Sequence, residues 1–83
     1  MLQLRDVVLR PNKTGLPSGN RYVAVDTSYI PMENCYETMV FRCTKNGTVR
    51  NWTDMDFQRY KTEEEAKAGH QIMVEKWKGE LNA

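Results

Sequence analysis

Apolar and polar residues alternate along most of this chain and change to a helical period only near its C-terminus. Leu2, Leu4 and the run Val7, Val8, Leu9 predict a short first strand, with a helical turn as the alternative. "RYVAVDTSY" predicts a second, with Val23 and Val25 on one face and Tyr22, Ala24, Asp26 and Ser28 on the other. Pro31 ends it, since proline has no amide to give a ladder. "CYETMVFRC", rich in aromatic and β-branched residues, is the strongest strand. It sets Cys35, Glu37, Met39, Phe41 and Cys43 against Tyr36, Thr38, Val40 and Arg42. Asn46-Gly47 predicts a type I′ hairpin turn into a returning strand "TVRNW", and a separate extended piece, "DFQRYK", leads onward.

The period then lengthens. Ala66, His70, Met73, Val74, Trp77 and Leu81 fall on one helical stripe. Thr62 with Glu65 forms a capping box, Glu63 and Glu64 suit the positive end of the helix dipole, and Lys76 and Lys78 suit the other. Gly79 is the expected stop. Gly69 lies inside this helix, where glycine costs about 1 kcal/mol relative to alanine. Its place at the border of the buried stripe predicts a close approach to the sheet or to a second chain. Together these elements predict an α+β fold, with one antiparallel sheet of four or five strands packed on one long C-terminal helix. A lone helix covers one sheet face. The other, assigned Tyr36, Val40 and Tyr22, is expected to be buried by another copy of the chain or by a ligand.

Composition narrows the options. Eighty-three residues predict a single domain, residues 1–83. A net charge of +1 argues against non-specific nucleic-acid binding. No apolar run is long enough to predict a membrane span. "MLQLRDVVLR" contains Asp6 and no small-residue cleavage site, so it does not read as a signal peptide. Cys35 and Cys43 lack zinc or redox spacing and are expected as free thiols.

Candidate chemistry is sparse. His70, the one imidazole, suits three roles: a partly buried side chain bonding a backbone carbonyl or Glu37, a ligand or subunit contact, or a general acid–base. No nucleophile or carboxylate stands at a recognisable triad spacing, and no metal centre or cofactor is predicted. The loop "RPNKTGLPSGN" offers Arg10, Lys13 and Thr14 as a phosphate cradle, or is a plain connection; it lacks Walker spacing. On the expected outer face Tyr36 and Arg42, with Asp26, Thr38 and Trp52, suit stacking on a base, a protein interface, or cross-strand packing alone.

The order Asp26-Thr27-Ser28-Tyr29, Glu37-Thr38-Met39-Val40-Phe41, Arg59-Tyr60-Lys61-Thr62, Glu65-Ala66 and Gly69-His70 resembles a family of small tailed-phage proteins. The resemblance runs from about Tyr22 to Trp77. Thr27 stands where that family usually has histidine, and the hairpin through "NGTVRNW" is this chain's own. It implies a phage protein acting in the host bacterial cytoplasm, and brings no mechanism with it. The expectation is a small non-enzymatic accessory protein that counters host defence by sequestering a nucleotide signalling molecule, as a homo-oligomer. Its ligand-binding candidates are Arg10, Lys13, Thr14, Asp26, Tyr36, Thr38, Arg42, Trp52 and His70. The alternative is an interaction module that inhibits a host enzyme or serves phage assembly. An enzyme acting on a nucleotide is a third class.

Overall fold

A computed structural model describes residues 2–10 and 22–79. Strands β1 (Gln3–Leu9), β2 (Tyr22–Ile30), β3 (Cys35–Cys43) and β4 (Val49–Tyr60) form an antiparallel meander in chain order. Helix α1 (Glu63–Lys78) lies across all four strands. The fold is the expected α+β arrangement. Helix α1 carries the expected caps: Thr62 Oγ1 accepts from the Glu65 amide while Glu65 Oε1 accepts from the Thr62 amide, and Gly79 closes the far end at φ 87°.

The core lies between sheet and helix, where Val8, Val23, Val25 and Val40 meet Met73 and Val74. Strand register fixes the two stripes. Val25 pairs with Val40, Thr27 with Thr38 and Tyr29 with Tyr36, and this stripe lies under the helix. The faces of β3 are therefore the reverse of the sequence expectation. Tyr36, Thr38, Val40 and Arg42, which pairs with Val23, lie on the helix side; Glu37, Met39 and Phe41 lie on the outer side. Both stripes of β3 contain apolar residues, so alternation separates them without showing which the helix takes.

The outer face is not bare. After β3 the chain turns through Thr44–Thr48, with the Gly47 amide bonding the Thr44 carbonyl at 2.9 Å. Gly47 takes φ 87°, but Asn46 keeps a negative φ, so the predicted type I′ turn is replaced by a hairpin with a single left-handed residue. The hairpin curls back over the outer face until a Cβ at Gly47 would stand 3.1 Å from Val7 Cγ2. Ala24, Phe41 and Cys43 are buried on that side. Much of the company expected from a second copy is thus supplied by the chain itself.

The pieces "TVRNW" and "DFQRYK" form one strand, interrupted by a wide bulge. Arg42 pairs with Asn51 and Val40 with Asp56, so Trp52–Met55 all stand opposite Phe41. The bulge sends Met55 toward the core and brings Asp56 to the last turn of α1. There Asp56 Oδ2 accepts from Lys76 Nζ at 2.7 Å and Trp77 Nε1 at 3.1 Å. Partial burial alone would raise the Asp56 pKa, but bonds from Lys76, the Phe57 amide and Trp77 outweigh it and hold the carboxyl below its ordinary value. A carboxyl depressed in the fold stabilises it above the unfolded value, near pH 4, and loses that contribution as pH falls through the folded value. Asp56→Asn is therefore expected to destabilise the protein at pH 7, with the deficit shrinking as acid titrates the folded carboxyl. Parallel urea titrations check this; a difference that persists in acid contradicts it.

Candidate functional site

His70 does not reach Glu37, which pairs with Arg59 on the opposite face. It joins a line of polar groups that crosses the fold. His70 Nε2 stands 2.7 Å from Asp6 Oδ2 on β1, and Nδ1 stands 2.6 Å from Thr27 Oγ1 on β2. Thr27 Oγ1 in turn lies 2.5 Å from Thr38 Oγ1 on β3. With Asp6 ionised its oxygen only accepts, so the Nε2 proton points to Asp6 and Nδ1 accepts from Thr27. Thr27 must then accept from Thr38. An acid, an imidazole and a hydroxyl in line resemble a nucleophile-activating trio. Yet Thr27 is 1% exposed and Thr38 0%, so no substrate atom meets either hydroxyl in this conformation. The line is built to hold elements together.

Asp6 and Thr27 were missed as partners of His70. Each carried a signal: Asp6 is a charge on the inward stripe between Leu4 and Val8, and Thr27 continues the buried stripe of Val23 and Val25.

The other ligand-binding candidates do not form one constellation. The Arg10 guanidinium lies 5.8 Å from the centre of the Trp77 ring, on the helix side. Lys13 and Thr14 lie outside the described residues. Asp26 accepts from Arg5 Nε at 2.8 Å on the outer face. Tyr36 packs on Tyr29, ring centres 5.1 Å apart, beside an open cleft of about 370 Å³ lined also by Asn34, Lys61 and Glu63. That cleft suits phosphate poorly, because Glu63 borders it and the helix cap is already filled by Thr62.

One aromatic pair stands out, on the β3–β4 hairpin. The Trp52 ring stands edge-on to Phe41 at 5.2 Å, yet Trp52 remains 73% exposed. Exposed Lys45 and Arg50 stand on the same hairpin, while Arg42 shares the helix-side stripe of Val40. The bulge explains the geometry: it frees Trp52 from the regular ladder while Phe41 anchors one edge of the indole. The result is a large π-face presented to solvent on the outer side of the hairpin.

At the opposite end of β3, Glu33, Cys35 and Glu37 bring their ligand atoms within 4.8 Å of one another. Their spacing at every second residue was the available sequence signal. Arg59 already bridges the two carboxylates, at 2.6 Å to Glu33 and 2.7 Å to Glu37, so its guanidinium takes the place a cation would fill. Cys35 and Cys43 are free. Eight residues apart on one strand, their backbones are separated by about 26 Å, far beyond disulfide reach.

No described helix is long and apolar enough to cross a membrane. No protein-family model, curated protein or solved structure matches the chain.

Proposed function

We propose that the protein is a small non-enzymatic accessory protein of phage type, which counters host defence by binding and sequestering a nucleotide signalling molecule. The carrying observation is the exposed Trp52 face on the basic hairpin. Base stacking on an aromatic ring is sequence-tolerant and worth about 1–3 kcal/mol per base, and arginine or lysine beside the ring meets phosphate. Lys45, in the hairpin turn, is the cation assigned to that task; Arg42, on the helix side of β3, is not. Tyr36, Thr38 and His70 have structural roles in this reading. A second copy meeting the hairpin would close the ligand off from water and complete a pocket that one chain leaves open, which keeps the homo-oligomer part of the proposal. The resemblance to tailed-phage proteins supplies the setting, the host cytoplasm.

The test is calorimetry against cyclic di- and trinucleotides and cyclic ADP-ribose variants, with native mass spectrometry for copy number. Binding is expected for at least one of them, weakened about tenfold or more by Trp52→Ala. No heat from any of them defeats the reading.

A second reading is a protein-interaction module. It is favoured by exposed Val7, Leu9 and Phe57, which lie on the same outer face as Trp52. Aromatic residues with arginine are also what protein interfaces select. A stable protein partner captured by wild type and lost with Trp52→Ala, together with no nucleotide binding, selects this one.

A further inference from the structure

The far end of the β3–β4 hairpin joins the sheet across a line of broken ladder. Between Val40–Asp56 and Arg42–Asn51 the residues Trp52–Met55 stand opposite Phe41 alone, and a second register shift follows between Arg42 and Cys43. Among the described residues the ladder with β2 stops at the same level, at Val23–Arg42. Beyond this line the segment 43–55 is closed by bonds of its own. The Thr44 amide donates to the Thr48 carbonyl at 2.9 Å, the Gly47 amide to the Thr44 carbonyl at 2.9 Å, and the Thr48 amide to Thr44 Oγ1 at 3.1 Å. These bonds travel with the segment; at the joint, Arg42–Asn51 is the ladder pair that must bend. The segment rests on the outer face through apolar contacts: Gly47 against Val7, Trp52 edge-on to Phe41, and the buried Cys43. The main core, between sheet and helix, lies on the other side.

We propose that residues 43–55 form a hinged flap, which lifts from the outer face about the line from Arg42 to Met55 while the rest of the fold stays intact. An opening that breaks few buried contacts needs less free energy than global unfolding. Lifting uncovers Ala24, Phe41 and Cys43, all buried in the closed form. Gly47 forms the tip: a Cβ there would crowd Val7 Cγ2 at 3.1 Å, so the seat is shaped for bare backbone. Trp52 rides on the flap while Phe41 stays in the ladder opposite Ala24. Lifting therefore parts the two rings and opens a slot for a flat ring between them. That use of the slot rests on the nucleotide reading; the motion does not.

The test is thiol labelling of the free wild-type protein with iodoacetamide, with Cys35 and Cys43 followed separately by mass spectrometry of their peptides. In the closed form Cys43 is 1% exposed, and burial raises its thiol pKa against the opposing charge of Arg5, so labelling counts openings. A flap labels Cys43 about tenfold or more faster than global unfolding allows. Its rate should also depend less steeply on urea than global unfolding does, because less surface is exposed. Val7→Ala, at a half-buried position, removes the seat of the tip. It should speed Cys43 about fivefold beyond any change in global stability and leave Cys35 unchanged. A Cys43 that reacts only as fast as global unfolding allows, or that ignores Val7→Ala, overturns the proposal. No nucleotide is present in this measurement, so a failed calorimetric search leaves its result untouched, and a static flap leaves Trp52 stacking to its own test.

Discussion

His70→Ala is expected to destabilise the fold by about 3 kcal/mol, while Asp6→Ala costs about 1 kcal/mol or less. The two residues share a hydrogen bond, so the asymmetry comes from what each leaves behind. Removing the imidazole strands the Thr27 proton in a dry site, worth about 1–3 kcal/mol, and opens a cavity beneath α1 that its neighbours fill only in part. Removing the Asp6 carboxylate leaves Nε2–H facing a side chain position that is mostly exposed, where water takes over. Urea unfolding of both variants checks the ranking. Equal losses would show that the threonines are not held through the ring. Nucleotide binding by His70→Ala, measured where it remains folded, should match wild type, because Trp52 lies on the opposite face.

Gly69→Ala is expected to be the second most damaging small change, at about 2 kcal/mol. The Tyr60 ring packs directly against Gly69, and an added Cβ would overlap its Cε1, Cζ and hydroxyl atoms. Alanine recovers about 1 kcal/mol of helix propensity. Displacing a packed ring costs up to about 3 kcal/mol, so packing wins. The expected signature is coupling: in a Tyr60→Ala background Gly69→Ala should become neutral or stabilising. A Gly69→Ala protein as stable as wild type would mean that the ring moves aside without cost. The sequence reading placed Gly69 correctly as a point of close approach, and Tyr60 is what approaches.

Legibility in the sequence followed the range of the interactions. Strand β3 and helix α1 were readable to their ends, because alternation, the Thr62–Glu65 box and the Gly79 stop are all local. Strand β4 was divided in two because the bulge at Trp52–Met55 breaks the alternation that marks a strand. The candidate site suffered most from a missing sign. A period of two says that Tyr36 and Thr38 share a face; it does not say which face receives a helix that starts beyond Tyr60. The partners of His70 were out of reach for a different reason. Thr27 and Asp6 lie 43 and 64 residues away, and only the folded register brings them together. Trp52 was recognised as a binding type, whereas the curl that lays its hairpin over the outer face depends on Gly47 meeting Val7.

The order in which these parts are synthesised has a kinetic consequence. Each strand pairs with its neighbour in the chain, so the meander can zip together hairpin by hairpin as it leaves the ribosome. The keystone comes after them: the helix that roofs Val8, Val23, Val25 and Val40 follows all four strands in the chain. A nascent chain halted before Thr62 would therefore present an open, greasy sheet to holdases and proteases, and quality control should clear such fragments quickly instead of leaving a smaller stable protein.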